Sequence, residues 1–297
     1  MKIRIGYGLG TSSTTTDPVR FGELVDGLEN LGYDSLWLSE RINGPALDPV
    51  VGMTFAIART TRLKVGASVM VLPGRNPVLL AKTMASLDQL SNGRLLPAFG
   101  LGVANAAEHQ AFGVERKERA AWFNEAMPLL RRLWSEDSVT HHGDRFHIDN
   151  AQVNPKPVQE PLEVWMGGAA PLELRRVGRY SDGWLPSFCT VEDVAEGIKT
   201  VNAHAAEAGR EIEDEHFGVL LPYSDGPISE RFVEAVTRRN PNRDVADVIA
   251  TKENIVERLV EFTDVGASKF VIVPAVEPAD WPAELAEMAD KVLPLEN

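Results

Sequence analysis

The sequence predicts an α/β fold, namely a (β/α)8 TIM barrel with insertions after strands 4 and 7. Apolar strand-like segments alternate with amphipathic helical segments along the chain, and eight such strands can be counted. The 297 residues are enough for one barrel of about 250 residues plus insertions. Because no repeated dinucleotide-binding half is visible, a barrel is favoured over an open doubly wound sheet. We expect one domain over residues 1–297.

Composition limits the classes of partner. The formal net charge of −13 opposes non-specific binding to nucleic acid or to an anionic membrane surface. The single cysteine, Cys189, excludes an internal disulfide framework and fits a reducing compartment. No apolar run approaches the roughly 18 residues needed to span a bilayer. We therefore expect a cytoplasmic protein that binds a small molecule, with no nucleic acid and no membrane as partner.

The first two pairs of strand and helix have clear boundary signals. A strand over residues 3–7 is followed by a helix that begins at an Asp-Pro pair and ends at a glycine. A second strand, residues 34–38, leads into Glu40 and Arg41, and another Asp-Pro pair begins the second helix. Glu40 and Arg41 therefore stand where a barrel enzyme has its active site. Adjacent strand residues face opposite sides, so one of the two is alternatively a salt-bridge residue at the rim.

The centre of the chain is a βαβ unit. Its first strand, residues 63–70, is almost continuously apolar, as is typical of a parallel strand covered on both faces. Asn76 and Pro77 begin a helix, and a second strand over residues 94–99 runs into a Gly-Leu-Gly turn. That turn lacks the third glycine of a dinucleotide-binding fingerprint, so it supports a Rossmann site only weakly.

A long segment then interrupts the alternation. After a loop over residues 103–118 and an amphipathic helix, residues 135–161 contain three histidines and three prolines. The segment is long for a plain connection, so we interpret it as a functional excursion or a lid candidate. Its histidines, His141, His142 and His147, lack the spacing of metal ligands, and no metal site is predicted.

Four further strands complete the eight. They are predicted over residues 162–166, 183–186, 216–221 and 269–274, with helices over 172–179, 191–208, 252–265 and 282–292 and a second insertion over 222–248. The segment Gly-Gly-Ala-Ala at 167–170 leaves a strand and enters a helix N-terminus, where free amides and the helix dipole attract anions. A phosphate site is favoured there, and a plain tight loop is the alternative.

Three blocks of the sequence resemble the bacterial luciferase-like family, most closely its coenzyme F420-dependent oxidoreductase branch. The blocks are GYDSLWLSER, RLKVGASVMVLPGRNPVLLAKTMASLDQLSNGRLLPAFGLG and LEVWMGGAAPLELRRVGRYSDGW. The resemblance extends from the N-terminus to about residue 187 and continues more weakly through the last strand and helix. These blocks discriminate poorly between F420 and FMN, so FMN remains the alternative cofactor.

The resemblance implies a barrel that binds a (deaza)flavin at the carboxyl ends of its strands. Ser68 and Val69 match the position where F420 enzymes have a non-prolyl cis peptide bond behind the deazaflavin ring. Glu40 falls at an acidic position that contacts the cofactor, and Asn105 lies near a polar contact to the ring or ribityl chain. The cofactor phosphate is placed, in agreement with the interpretation above, on Gly167, Gly168, Ala169 and Ala170.

Two positions depart from the sugar-phosphate dehydrogenases of this family. Arg41 stands where those enzymes have a catalytic histidine, and Val103 stands where they have a proton-donating glutamate. A sugar-phosphate substrate is therefore not expected. Arg41 is instead expected to face the substrate, where a guanidinium can hold a carbonyl or carboxylate oxygen.

These expectations combine into a functional hypothesis. The chain is predicted to be an F420-dependent oxidoreductase that transfers a hydride between C5 of the deazaflavin and a small organic substrate. The alternatives are a reduced-FMN-dependent luciferase-like monooxygenase and a non-catalytic flavin-binding barrel. A basic patch drawn from Arg75, Arg175 and Arg176 is expected near the cofactor tail, because the net charge is negative. A homodimer through the helices after the first three strands is a further expectation.

Overall fold

Parallel strands and the helices that connect them make up most of the chain. The computed structural model describes residues 2–228, 230–239 and 243–297, so the predicted insertion over 222–248 lies partly outside the described residues. The strands are β1 (Arg4–Leu9), β2 (Ser35–Leu38), β3 (Lys64–Ala67), β4 (Met70–Val71), β5 (Leu95–Leu96), β6 (Ala98–Gly100), β7 (Val139–His142), β8 (His147–Ala151), β9 (Trp165–Met166), β10 (Gly183–Trp184), β11 (Gly218–Ser224), β12 (Ala250–Thr251) and β13 (Lys269–Pro274).

Helices follow most of these strands, as the sequence pattern predicts. They are α1 (Pro18–Leu31), α2 (Pro49–Arg59), α3 (Pro77–Ser91), α4 (Ala106–Phe112), α5 (Arg119–Ser135), α6 (Pro171–Tyr180), α7 (Val191–Glu207), α8 (Glu230–Arg239), α9 (Ile255–Asp264) and α10 (Trp281–Val292). Proline occupies the first turn of several of them, where its missing N–H costs no hydrogen bond. Within the described ranges, no helix is long and apolar enough to cross a membrane.

The pairing of the strands confirms an α/β fold with parallel sheets. A larger sheet has the order β12-β11-β13-β1-β2-β3-β5, and a smaller one has the order β10-β9-β6-β4. Only two residues separate β3 from β4, and a single residue separates β5 from β6. Parallel bridges from Trp184 to Phe217 and from Ser187 to Leu220 join β10 and the residues after it to β11.

Two details differ from the sequence-based expectation, and a third gives structure to a segment for which only short strand-like pieces were expected. The strand predicted over residues 63–70 is interrupted at 68–69, where β3 ends and β4 has not begun. The segment 103–118 is not only a loop, because it contains the seven-residue helix α4. A helix this short has no full apolar stripe, so periodicity does not reveal it. The excursion over 135–161 contains an antiparallel hairpin of β7 and β8.

A small apolar cluster fills the space between the strands, separate from the core under the helices. It contains Trp37, Leu96, Ala98, Trp165, Leu185, Val271 and Val273, with Val69 and Leu220 packed against it. Its members come from both sheets, namely from β2, β5 and β13 of the larger sheet and from β6 and β9 of the smaller one.

An ion pair lies at the amino ends of the strands. Lys269 at the start of β13 is buried, and its Nζ is 2.5 Å from Asp34 Oδ2, while Lys64 Nζ is 3.0 Å from Asp34 Oδ1. Burial by itself raises the pKa of Asp34, but the two ammonium groups outweigh it and leave that pKa well below its ordinary value. This end of the strands therefore holds a structural charge cluster, and the candidate site lies at the other end.

Candidate functional site

Val69 forms the central contact at the carboxyl ends of the strands. The Ser68-Val69 peptide bond is cis, at the position that the resemblance implies. The half-buried Val69 side chain reaches the ends of two neighbouring strands: a Cβ on Gly100 would lie 2.7 Å from Val69 Cγ2, and one on Gly167 would lie 3.4 Å from Cγ1. Glycine at 100 thus leaves the room that Val69 occupies. Ser68 is held through its Oγ, 3.2 Å from Ser39 Oγ.

Glu40 connects the end of β2 to the end of β4. One carboxylate oxygen accepts a hydrogen bond from the Val71 amide at 2.7 Å, and the other accepts one from the guanidinium of Arg75. Arg75 also donates from Nε to the Val71 carbonyl oxygen at 2.9 Å. Burial raises the pKa of Glu40, and Arg75 and the Val71 amide offset only part of that rise. Glu40 and Arg75, both predicted to lie near the cofactor, are therefore bonded to each other at the carboxyl ends of the strands.

Arg41 differs from Glu40 in having no polar partner for its side chain. Among the described residues, its guanidinium makes no hydrogen bond or ion pair. Its stem crosses Gly44 so closely that a Cβ there would lie 2.7 Å from Arg41 Cγ and 2.9 Å from the Thr11 carbonyl oxygen. The half-buried Arg41 is thus fixed at its base and carries a cation available to a ligand.

Glu108 fixes the backbone just after Arg41, and it is not among the residues predicted from the sequence. This residue of α4 is 5% exposed, and its carboxylate accepts hydrogen bonds from the amides of Asn43 at 2.9 Å and Ile42 at 3.4 Å. The signal that could have found it is weak, namely an acidic residue three positions after a capping Asn105.

Asn105 itself serves as the N-cap of α4. Its Oδ1 accepts hydrogen bonds from the amides of Ala107 at 2.9 Å and Glu108 at 3.2 Å. The side chain is exposed, and these bonds use its carbonyl oxygen. Its amide nitrogen is the part left for the cofactor contact that the resemblance implies.

The loop after β6 is held by the half-buried Arg119. Arg119 Nη1 lies 2.9 Å from each of the carbonyl oxygens of Leu101, Gly102 and Val103, and His109 Nε2 lies 3.1 Å from the last of these. These residues line a small cavity under α4, together with Val71, Pro73, Glu108, Phe112 and Val114. Sequence reasoning missed Arg119, because its partners are backbone atoms.

Loop 167–170 leads into the N-terminus of α6, and its last two amides are bonded to a carboxylate of the chain itself. The carboxylate of Glu173 accepts hydrogen bonds from the amides of Ala169 at 3.1 Å and Ala170 at 3.0 Å. Gly168 has a φ of 94°, and a Cβ there would lie 2.5 Å from Glu173 Oε2. Trp184 Nε1 donates to the Gly168 carbonyl oxygen at 2.8 Å and so holds the loop from the other side.

The structure does not bring Arg75, Arg175 and Arg176 together into one basic patch. Arg75 is bonded to Glu40. Arg176 turns to the neighbouring helix α5, where its Nε donates to Asn124 Oδ1 at 3.2 Å, whereas Arg175 is exposed on α6. The reason is the helical geometry: consecutive residues of α6 point about 100° apart.

The hairpin of the excursion packs against α5. Glu125 accepts hydrogen bonds from the amides of Phe146 at 3.0 Å and Arg145 at 3.1 Å, and His141 Nε2 lies 3.0 Å from the same carboxylate. The ring of Trp122 contacts Phe146 edge to face. Among the described residues, no group of His, Cys, Asp and Glu is arranged to hold a metal ion.

Comparison with known proteins gives consistent matches. The family model described as luciferase-like monooxygenase matches residues 2–246. An F420-dependent glucose-6-phosphate dehydrogenase from Kineococcus radiotolerans is 30% identical over 193 residues, which are 62% of this chain and 56% of that protein. The match thus spans little more than half of that relative's length. The protein of the same name from Gordonia bronchialis is 30% identical over 241 residues, 76% of this chain and 71% of that protein.

A solved structure agrees over the whole chain. It is described as an F420-dependent secondary alcohol dehydrogenase in complex with an F420-acetone adduct, and it matches with a TM-score of 0.82 over 100% of both chains. Sequence identity is 22%, so this likeness concerns the fold.

Because Val69 packs against Gly100, one methyl group added at position 100 should lower the stability of the protein. We expect Gly100→Ala to lower the free energy of unfolding by about 1–3 kcal/mol, because valine is stiff at χ1 and cannot easily move away. Gly10→Ala is the matched control at another strand end, since its Cβ would meet nothing closer than Val273 Cγ1 at 3.9 Å. Urea denaturation of both variants measures the difference, and equal stabilities would contradict the packing described.

Proposed function

The chain belongs to the luciferase-like monooxygenase family, and on that premise we propose that it is an F420-dependent oxidoreductase. It transfers a hydride between C5 of the deazaflavin and a small organic substrate. The names of the relatives from Kineococcus and Gordonia support this choice of cofactor. The observation that carries the proposal is the position of Val69 against Gly100 and Gly167, two glycines at the ends of neighbouring strands.

We infer that the pairing order describes one (β/α)8 barrel over residues 1–297. From β13 the pairs run through β1, β2, β3 and β5, and the chain continues β5 into β6. From β6 they run through β9 and β10, the bridges lead to β11, and β11 pairs with β13. Counted along the chain from β1, the inserted segments follow the fourth strand, β5 with β6, and the seventh strand, β11. Residues 135–161 remain a lid candidate.

The residues present fit a cofactor with a flat ring and a phosphate. Ser68 and Val69 would support the ring, and Glu40 and Asn105 would hold its polar edge. Gly167, Gly168, Ala169 and Ala170 would bind the phosphate through backbone amides. The bound deazaflavin supplies a carbon centre that accepts or donates hydride, and the protein supplies orientation and electrostatics.

Arg41 is the residue that we assign to the substrate. Its guanidinium is without a partner among the described residues, while Glu108 and Gly44 fix the loop that carries it. A cation held in this way stabilises negative charge on a carbonyl or carboxylate oxygen without reorganising. We therefore propose a carbonyl or enoyl substrate, and the arginine at position 41 and valine at position 103 speak against glucose 6-phosphate.

A homodimer is a further proposal. Val19, Val51 and Leu79 lie in the first turns of α1, α2 and α3, and each side chain is more than half exposed. Apolar side chains at equivalent positions of neighbouring helices are what an interface between copies requires.

Separate titrations with F420 and with FMN test the choice of cofactor. We expect micromolar or tighter binding of F420, followed by cofactor fluorescence, and clearly weaker binding of FMN at the same salt concentration. A preference for FMN would support the second candidate, a reduced-FMN monooxygenase, which the description of the family model favours. Binding of neither would overturn both. Turnover of any acceptor by the holo-protein would exclude a non-catalytic flavin-binding barrel.

The assignment of Arg41 is tested with an acceptor found by screening carbonyl and enoyl compounds against reduced F420. We expect Arg41→Gln to lower kcat/KM by about tenfold to a hundredfold, because a charge-assisted hydrogen bond to the substrate is lost. The affinity for F420 should stay unchanged. Arg62→Gln is the control, since Arg62 lies at the amino end of β3 with a side chain 69% exposed. An Arg41→Gln enzyme that retains full kcat/KM would refute the assignment.

A further inference from the structure

We propose that Glu173 is a resident anion on the phosphate loop, defined as residues 167–170, and that it lowers the affinity of this loop for phosphate groups. A cofactor phosphate has to displace the Glu173 carboxylate from the amides before it can bind. This inference rests on the proposed function, because it concerns the loop assigned to the cofactor phosphate. It adds that a side chain of the protein itself, Glu173, occupies the loop before the cofactor binds.

The Glu173 carboxylate is bonded to the backbone amides to which we assign the cofactor phosphate. Oε2 of Glu173 accepts two hydrogen bonds, from the Ala169 amide at 3.1 Å and the Ala170 amide at 3.0 Å. Ala170 is the N-cap of α6 and has no side-chain oxygen to cap the helix itself. An anion at these amides also lies in the favourable field of the helix dipole. The loop therefore already binds an anion whose oxygen accepts from the amides, as a phosphate oxygen would.

The loop is built around this carboxylate. Gly168 has a φ of 94°, and a Cβ there would lie 2.5 Å from Glu173 Oε2 and 2.7 Å from Cδ. The Trp184 indole fixes the same residue from the opposite side by donating to its carbonyl oxygen at 2.8 Å. The amides thus point at an anion before any cofactor arrives, which reduces the ordering cost of binding.

Beyond the two amides, the Glu173 carboxylate is attracted by the charge of Arg176 without a direct ion pair. In the described part of the chain, no cation forms an ion pair with its carboxylate. Arg176, one turn along α6, instead donates to Asn124 Oδ1 at 3.2 Å and to the Leu172 carbonyl oxygen at 3.1 Å. Since Ala169 and Ala170 are exposed, a phosphate can reach the two amides once the carboxylate rotates away. The displaced carboxylate stays near the phosphate and repels it.

Removal of the charge should therefore strengthen anion binding. Glu173→Gln keeps an oxygen that can accept from the amides, so the start of α6 remains capped, but the competing charge is lost. We expect Glu173→Gln and Glu173→Ala to bind F420 about fivefold or more tightly than the parent chain. A role in capping alone predicts the opposite direction for Glu173→Ala, since loss of a cap weakens the loop.

The experiment measures binding and does not depend on turnover. Each variant is titrated with F420 by fluorescence, and inorganic phosphate is then used to displace the bound cofactor. Asp280→Asn is the matched control. Asp280 is the exposed N-cap of α10, accepts from the Ala283 amide at 3.0 Å, and loses the same charge in a variant that keeps the cap. Circular dichroism verifies that all variants are folded.

The outcomes separate this inference from the proposed function. Tighter F420 binding in both Glu173 variants, together with a lower inhibition constant for phosphate once each variant's own F420 affinity is taken into account, and Asp280→Asn unchanged, would support it. If the parent chain binds F420 but the Glu173 variants bind it equally or more weakly, the inference is wrong and the proposed function stands. If the parent chain binds neither F420 nor FMN, both proposals fail.

Discussion

The packing of Val69 against two glycines is the constraint on which the candidate site depends. The chain between β3 and β4 turns this side chain toward the ends of β6 and β9, where Gly100 and Gly167 leave room for it. The same glycines keep bulky groups away from the mouth of the strands. This contact thus stabilises the strand ends at the place that we propose for the cofactor ring, and a protein interior packed this closely responds to a single methyl group.

Three buried or half-buried carboxylates arrange the loops around that contact. Glu40 binds the Val71 amide and Arg75, Glu108 binds the amides of the loop after Arg41, and Glu173 binds the amides at the start of α6. Each accepts hydrogen bonds from backbone amides near the carboxyl ends of the strands. In this arrangement the Arg41 guanidinium makes no hydrogen bond or ion pair with another described residue, which is why we assign the substrate to it and treat the carboxylates as supports.

The fold was largely predictable, because strands covered on both faces leave continuous apolar segments and the helices between them leave an apolar stripe. The position of Ser68 and Val69 could be identified by resemblance, but not their packing, which depends on glycines more than thirty residues away. Helix α4 was missed because seven residues cannot show helical periodicity. The acceptor role of Glu173 could have been suspected, since a glutamate three residues after the N-cap position is a capping signal. The pairing of Arg75 with Glu40 is a tertiary contact that no local pattern reveals.

A crystal structure of the protein with F420 bound would test the proposed site. We predict the deazaflavin ring against Val69 at the carboxyl ends of the strands. We also predict the phosphate on the amides of Ala169 and Ala170, with the Glu173 carboxylate turned away. A cofactor bound outside the strand ends, or a phosphate distant from this loop with Glu173 still on the amides, would contradict this prediction.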